Sequence, residues 1–205
     1  DRPITAEQAA DFDAMTAQLA GQSPEWEPGT RHGYHALTFG WLVGELVRRH
    51  SGVSVGEFVR REIDPDLWIG VPEAMVDGLA HIAAASAQSL PPEAAVPHAA
   101  DAATLTSVLA AQRDPNSPMH PSTTNPSASF NKPVLLTAGW PAAGLVCTAR
   151  APAGFYSRLA RGEILVAESL REAVRERVRG PDRTLVLESA FGLGYMLACQ
   201  NMFLP

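Results

Sequence analysis

Lysine is almost missing from this chain: Lys132 stands alone beside fifteen arginines. Lysine codons are AT-rich, so the bias fits a GC-rich coding sequence and carries no chemistry. There is no basic run, and the net charge is −6, which excludes a nucleic-acid footprint. Cysteine is scarce too. Cys147 and Cys199 lie far apart, outside any C-x-x-C or Cys/His metal spacing, and read as free buried thiols. The six histidines, at 32, 35, 50, 81, 98 and 120, form no H-E-x-x-H or similar cluster, so no metal site is expected. No stretch approaches the roughly 18 consecutive apolar residues of a membrane span. Asp1-Arg2-Pro3 does not open a signal peptide, so a cytoplasmic location is the expectation. What is present suffices for a core: 46% of 205 residues are hydrophobic, and one domain is the default.

Helix signals come first along the chain. Thr5-Ala6-Glu7-Gln8 is a capping box, and Phe12, Met15 and Leu19 continue a helix to about Ala20, closed by Gly21. A second helix is predicted over Ala36–His50. Leu37, Trp41, Leu42, Leu46 and Val47 would face the core, with Glu45, Arg48, Arg49 and His50 off that face. Gly52 supplies its stop. Ser54-Val55-Gly56-Glu57 caps a short helix ended by Asp64-Pro65. Leu67–Pro72 reads as extended, with Ala74–Leu79 pairing nearby. From Pro91 to Pro133 the composition turns to Pro, Ala, Ser and Thr, interrupted by a helix at about Ala100–Gln112 with Leu105, Val108 and Leu109 inward. Pro141–Leu145 is a turn. Thr148 would cap a helix to Arg161 with Phe155, Tyr156 and Leu159 on its apolar side, stopped by Gly162. Ser169 would cap another short helix, and Arg183–Glu188 and Phe191–Leu197 read as strands.

The stretch with the most chemical promise is Trp26-Glu27-Pro28-Gly29-Thr30-Arg31-His32-Gly33-Tyr34. Pro-Gly favours a tight turn, which delivers Tyr34 to the mouth of the predicted helix. A phenol held there can move a proton if positive charge stabilises its anion, and Arg31 and His32 are adjacent. The plain alternative is a half-buried tyrosine whose hydroxyl reaches solvent.

Two serine motifs compete for the role of nucleophile. Gly52-Val53-Ser54-Val55-Gly56 fits G-x-S-x-G, but that elbow needs a strand before the serine, and here a helix precedes it. Ser54 is read as a helix cap. Ser129-Phe130-Asn131-Lys132 fits S-x-x-K, which requires serine and lysine one helical turn apart. Pro133 disfavours helical geometry at Lys132, so this copy is read as a solvated loop.

The run from Pro28 to Leu46 resembles the tyrosine segment of the class C β-lactamase-related serine hydrolases. These have a penicillin-binding-protein-like fold and include the family VIII carboxylesterases. The resemblance covers residues 24–75 and returns near 141–197, where Pro141-Ala142-Ala143-Gly144 is similar to the family's Pro-Ala-Ala-Asn-Gly turn without its Asn. It implies a mixed, helix-rich α+β fold: the helical subdomain and part of the sheet of such a hydrolase. The chain would be a single incomplete domain, helical over about 1–90, loop-rich over 91–140, with helices and returning strands over 141–200. It implies ester hydrolysis on a small molecule through an acyl-serine, with Tyr34 catalytic and no cofactor. Trp68 and Trp140 are the candidates to line a hydrophobic acyl pocket, with plain core aromatics as the alternative reading. The family places its Ser-x-x-Lys before the tyrosine and a glycine-rich strand after a segment like Phe191–Tyr195. The chain would therefore be an internal piece of a longer protein, and inactive alone. A non-catalytic module of the same architecture, or an α/β-hydrolase lipase using Ser54, are the rival expectations.

Overall fold

The computed structural model describes residues 3–83, 102–126 and 129–199. Residues 91–101 of the loop region expected over about 91–140 lie outside them. The chain divides into two compact units, one from residues 1–23, 35–82 and 124–164, the other from 24–34, 83–123 and 165–205.

In the first unit, Thr5 closes the predicted capping box with Gln8, opening α1 (Ala6–Ala10). The expected single helix is in fact two. Asp11 ends α1 in an extended conformation and caps α2 (Phe12–Ala20), its Oδ1 accepting from the Ala14 N–H at 2.9 Å. A short polar side chain can satisfy the new helix start, so the break costs little. Next comes α3 (Phe39–Ser51), which starts three residues later than expected and ends at Gly52 with φ 77°.

The inward face of α3 differs from the periodicity reading. Gly40, Trp41, Gly44 and Glu45 are buried, whereas Leu42 and Leu46 are exposed. The two glycines select this face. Ala142 sits where a Cβ on Gly40 would be, and Phe12 and Pro141 come within 3.2–3.3 Å of the corresponding point on Gly44. Close approach of backbone outweighs the larger apolar side chains one turn round. Phe39, Leu42, Val43 and Leu46 thus form an exposed apolar row. The core itself joins Ala6, Ala9, Met15, Trp41, Leu135 and Trp140, with Ile4, Phe12, Leu19, Leu37 and Val134 packed on it.

Ser54 caps α4 (Val55–Phe58), which runs into a π-helical turn over Val59–Ile63. β1 (Trp68–Ile69) pairs antiparallel with β2 (Leu145–Val146), Trp68 opposite Val146. Residues 73–78, expected to be extended, form a 3₁₀ turn instead. Two short helices interrupt the predicted loop: α6 (Met119–Thr124), which belongs to the second unit but for its last residue, and α7 (Pro133–Ala138) in the first. Pro133 occupies the first turn of α7, where its missing N–H is no loss. α8 (Arg150–Ala160) buries Leu159 but leaves Tyr156 exposed, and Thr148 makes no side-chain cap. Cys147, expected to be buried, is exposed.

In the second unit α5 (Ala102–Arg113) leaves Leu109 exposed, contrary to expectation. Val108 is half-buried, and the side chain of Leu105 lies outside the described ones. α9 (Ala167–Val174) starts before Ser169, which is therefore inside the helix rather than its cap. β3 (Val178–Pro181) and β4 (Glu188–Phe191) pair antiparallel, with Gly180 opposite Ser189. The strand expected at Arg183–Glu188 is mostly the turn between them. Among the described residues the chain is helix-rich α+β with two small two-stranded sheets. No described helix is long and apolar enough to cross a membrane.

Candidate active site

Tyr34 lies in the second unit, at the end of the Trp26–Tyr34 stretch. The stretch is folded by its own side chains. Thr30 donates to the Glu27 carbonyl at 2.6 Å, and the Trp26 indole N–H donates to the Arg31 carbonyl at 3.0 Å. Gly29 takes φ 83°, as the Pro-Gly pair predicts.

The far end of the stretch is fastened to the β3–β4 turn. The Tyr34 N–H donates to both carboxylate oxygens of Asp182, at 3.0 Å each. Oδ1 also accepts from the N–H groups of Thr184 and Leu185, at 2.8 Å each, an Asx turn that shapes residues 182–185. Oδ2 accepts from the Ser189 hydroxyl at 2.7 Å. Nε2 of His32 lies 2.9 Å from the same hydroxyl oxygen, and the His32 carbonyl accepts from the Arg183 N–H at 3.0 Å. Asp182 and Ser189 are buried, Ser189 completely.

The protons in this chain can be assigned. A carboxylate only accepts, so the single proton of Ser189 goes to Asp182. The Ser189 oxygen must then accept from His32, which places a proton on Nε2. The order is histidine, serine, aspartate, with serine in the middle. A nucleophilic triad needs histidine in the middle and an accessible serine, so Ser189 is no nucleophile.

While the backbone of Tyr34 is fastened, its hydroxyl is not. The ring lies nearly parallel to Phe191, with centroids 6.2 Å apart, and the residue is 37% exposed. Its hydroxyl has no hydrogen-bond partner among the described residues. Arg31 is exposed without an ion-pair partner among them, and His32 is engaged by Ser189.

Trp68 and Trp140 are brought together in the first unit, where both line a cleft of about 790 Å³ with Phe130, Leu135 and Leu145. Trp140 stacks on Trp41 at 5.3 Å and lies tilted against Phe130 at 5.7 Å. Its indole N–H is buried without a hydrogen-bond partner among the described residues. One face of Trp68 is covered by the Arg60 guanidinium, 3.9 Å from the ring centre.

The two serine motifs have no such setting. The Ser54 oxygen accepts from the Glu57 N–H at 3.2 Å, and a helix precedes it, so the cap reading holds and the elbow is excluded. Ser54 borders a cleft of about 820 Å³ lined by both arginines and carboxylates, and its hydroxyl donates to none of them. At Ser129–Lys132 the chain turns, and Lys132 is extended just before α7, so serine and lysine do not share a helix face.

The family model named Beta-lactamase matches residues 1–202. The chain belongs to the Beta-lactamase family. It is 32% identical to "Esterase/beta-lactamase LipL" of Mycobacterium tuberculosis (strain ATCC 25618 / H37Rv), over 95% of this chain and 46% of that protein. Among solved structures it superposes on EstA from Arthrobacter nitroguajacolicus Rue61a with a TM-score of 0.77 at 25% identity, covering 98% of this chain and 53% of that one. A penicillin-binding protein homologue from Caulobacter crescentus gives 0.70 at 29% identity, covering 96% and 50%. The fold is therefore the β-lactamase and penicillin-binding-protein one, and the chain spans about half the length of the curated relative.

The Asp182–Ser189–His32 network was not legible as a site. Its one local signal is Gly180-Pro181-Asp182, a turn with an Asx residue at its base. Nothing in the sequence says that the turn meets a segment about 150 positions earlier.

Proposed function

We propose that the protein containing this chain is a serine carboxylesterase acting on small to medium esters through an acyl-serine intermediate. Tyr34 is its proton-handling residue, and Trp68 and Trp140 line the acyl side. The observation that carries this reading is the contrast at Tyr34, where a fastened main chain presents a hydroxyl with no hydrogen-bond partner among the described residues. Membership of the Beta-lactamase family, with an esterase/β-lactamase relative along nearly the whole chain, supports the same reaction class.

In this reading serine attacks the ester carbonyl, and backbone N–H groups hold the oxyanion. As the bond to the alkoxy oxygen breaks, Tyr34, working with a lysine, returns the serine proton to the leaving alcohol. Water then attacks the acyl-serine, and serine regains its proton as the acid departs. Serine and lysine come from a part of the protein outside this chain. Phe130 and Leu145 supply apolar wall.

The test is p-nitrophenyl butyrate hydrolysis by the full-length protein. Tyr34→Phe removes one oxygen and should lower kcat by roughly 10²-fold. Stability should change by no more than the roughly 1 kcal/mol of one hydrogen bond. Trp140→Phe should raise KM and leave kcat near wild type. An unchanged kcat in Tyr34→Phe overturns the assignment of Tyr34.

A further inference from the structure

We infer that Asp182 is the positioning residue for Tyr34, and that Ser189 and His32 hold Asp182 in the orientation this requires. The inference rests on the catalytic reading of Tyr34 but reaches residues that reading does not use.

Asp182 is 4% exposed and takes every one of its contacts from a donor. Three backbone N–H groups and one hydroxyl converge on it: Tyr34 on both oxygens, Thr184 and Leu185 on Oδ1, Ser189 on Oδ2. Only one of these donors, Tyr34, comes from outside the turn and strand that carry Asp182. The carboxylate is thus the hydrogen-bonded link between the Tyr34 main chain and the β3–β4 turn. His32 supplies a second link two residues earlier, through its carbonyl to Arg183 and its ring to Ser189. Phe191, on β4, supplies a third, lying against the Tyr34 ring and edge-on to the His32 ring at 6.3 Å.

The consequence is geometric. Two residues of a loop without regular structure are fixed at main chain and ring to one strand pair. The hydroxyl lies at the end of the side chain, so a small change at the Tyr34 main chain moves it by more. Displacement on the order of 1 Å costs an enzyme about 10²-fold when the group takes part in the reaction. A carboxylate suits this role because no neutral side chain accepts four donors at once. In Asp182→Asn an NH₂ group replaces one acceptor and faces N–H or O–H donors.

The experiment has two arms. In the full-length enzyme, Asp182→Asn should lower kcat about 10-fold or more with KM within about 2-fold, since position and not binding is lost. Ser189→Ala should do the same to a lesser degree. In a Tyr34→Phe background neither change should lower kcat further, because both act through the hydroxyl. Full additivity, or a wild-type kcat in Asp182→Asn, overturns the inference. The second arm needs no activity. Hydrogen exchange of the Tyr34 amide in the full-length protein should be protected, and should accelerate at least about 10-fold in Asp182→Asn. Retained protection overturns the inference. If Tyr34→Phe proves fully active, the catalytic reading falls, and amide exchange still decides whether Asp182 sets the position of Tyr34. Should Asp182→Asn not fold, Ser189→Ala carries both arms, with smaller expected effects.

Discussion

The main-chain N–H of Tyr34 is shared equally between the two oxygens of Asp182, at 3.0 Å to each, across 148 positions of sequence. That relationship turns a Pro-Gly loop into a defined support for one side chain. It also makes the residue before Tyr34 intolerant of change.

A Cβ on Gly33 would lie 2.6 Å from Thr184 Oγ1 and 3.1 Å from the Trp26 ring. Thr184 is buried, and its N–H is one of the donors to Asp182. Gly33→Ala must therefore push on the turn that holds Tyr34. Overpacking of this kind costs about 1–3 kcal/mol. Thermal unfolding should show that loss, with any ester turnover of the full-length protein falling in the same variant. A Gly33→Ala protein with unchanged melting would mean the turn yields without resistance.

Ser54→Ala separates a cap from a nucleophile. The Ser54 oxygen accepts from the Glu57 N–H at the start of α4. Removing it should cost about 1 kcal/mol and leave ester turnover of the full-length protein nearly intact. A loss of several orders of magnitude in turnover with unchanged melting would make Ser54 the nucleophile after all.

Much of the local structure was legible from short-range chemistry. The Thr5–Gln8 box, the Ser54 cap, the Gly52 stop and the Pro141–Leu145 turn depend on residues a few positions apart, and each forms as read. The failures are tertiary. Hydrophobic periodicity pointed Leu42 and Leu46 inward, but Gly40 and Gly44 admit Ala142, Phe12 and Pro141 more closely than a leucine face could. Alternating residues made 183–188 look like a strand, whereas Asp182 gathers its N–H groups into a turn. The same burial brought Glu45, expected outside, into the core-facing side of α3.

Glu45 gives a pH-dependent prediction. Hydrogen bonds from Arg48, and then from Arg49, each at 2.6 Å, hold its carboxyl below the usual range. A carboxyl with a lowered folded-state pKa binds its proton more readily in the unfolded chain. Its contribution to stability is full above the unfolded value of about 4.3 and is lost as pH falls through the lower folded value. The difference in melting temperature between wild type and Glu45→Gln should be constant from pH 7 to about 5. It should then shrink as the pH drops below about 4.3. A difference that does not vary with pH would show that Glu45 acts by packing alone.

The last prediction concerns this chain on its own, which should not hydrolyse p-nitrophenyl butyrate. Three serines have a claim to be tested, and each fails on a different physical ground. Ser54 is an acceptor in a helix cap, and among the described residues its hydroxyl donates to no base, although carboxylates share the cleft it borders. Ser129 is exposed, and it is separated from a helical relationship with Lys132 by the extended conformation ahead of Pro133. Ser189 has a histidine and an aspartate, but it is completely buried and gives its only proton to the aspartate. A nucleophile needs an accessible oxygen whose proton a base can remove, and none of the three meets both conditions. The measurement is turnover by the isolated chain beside its Ser54→Ala, Ser129→Ala and Ser189→Ala variants. Activity that one of these substitutions abolishes, with melting unchanged, would identify a nucleophile inside the chain. It would also move the proposed reaction to a different serine from the one that the family resemblance places outside it.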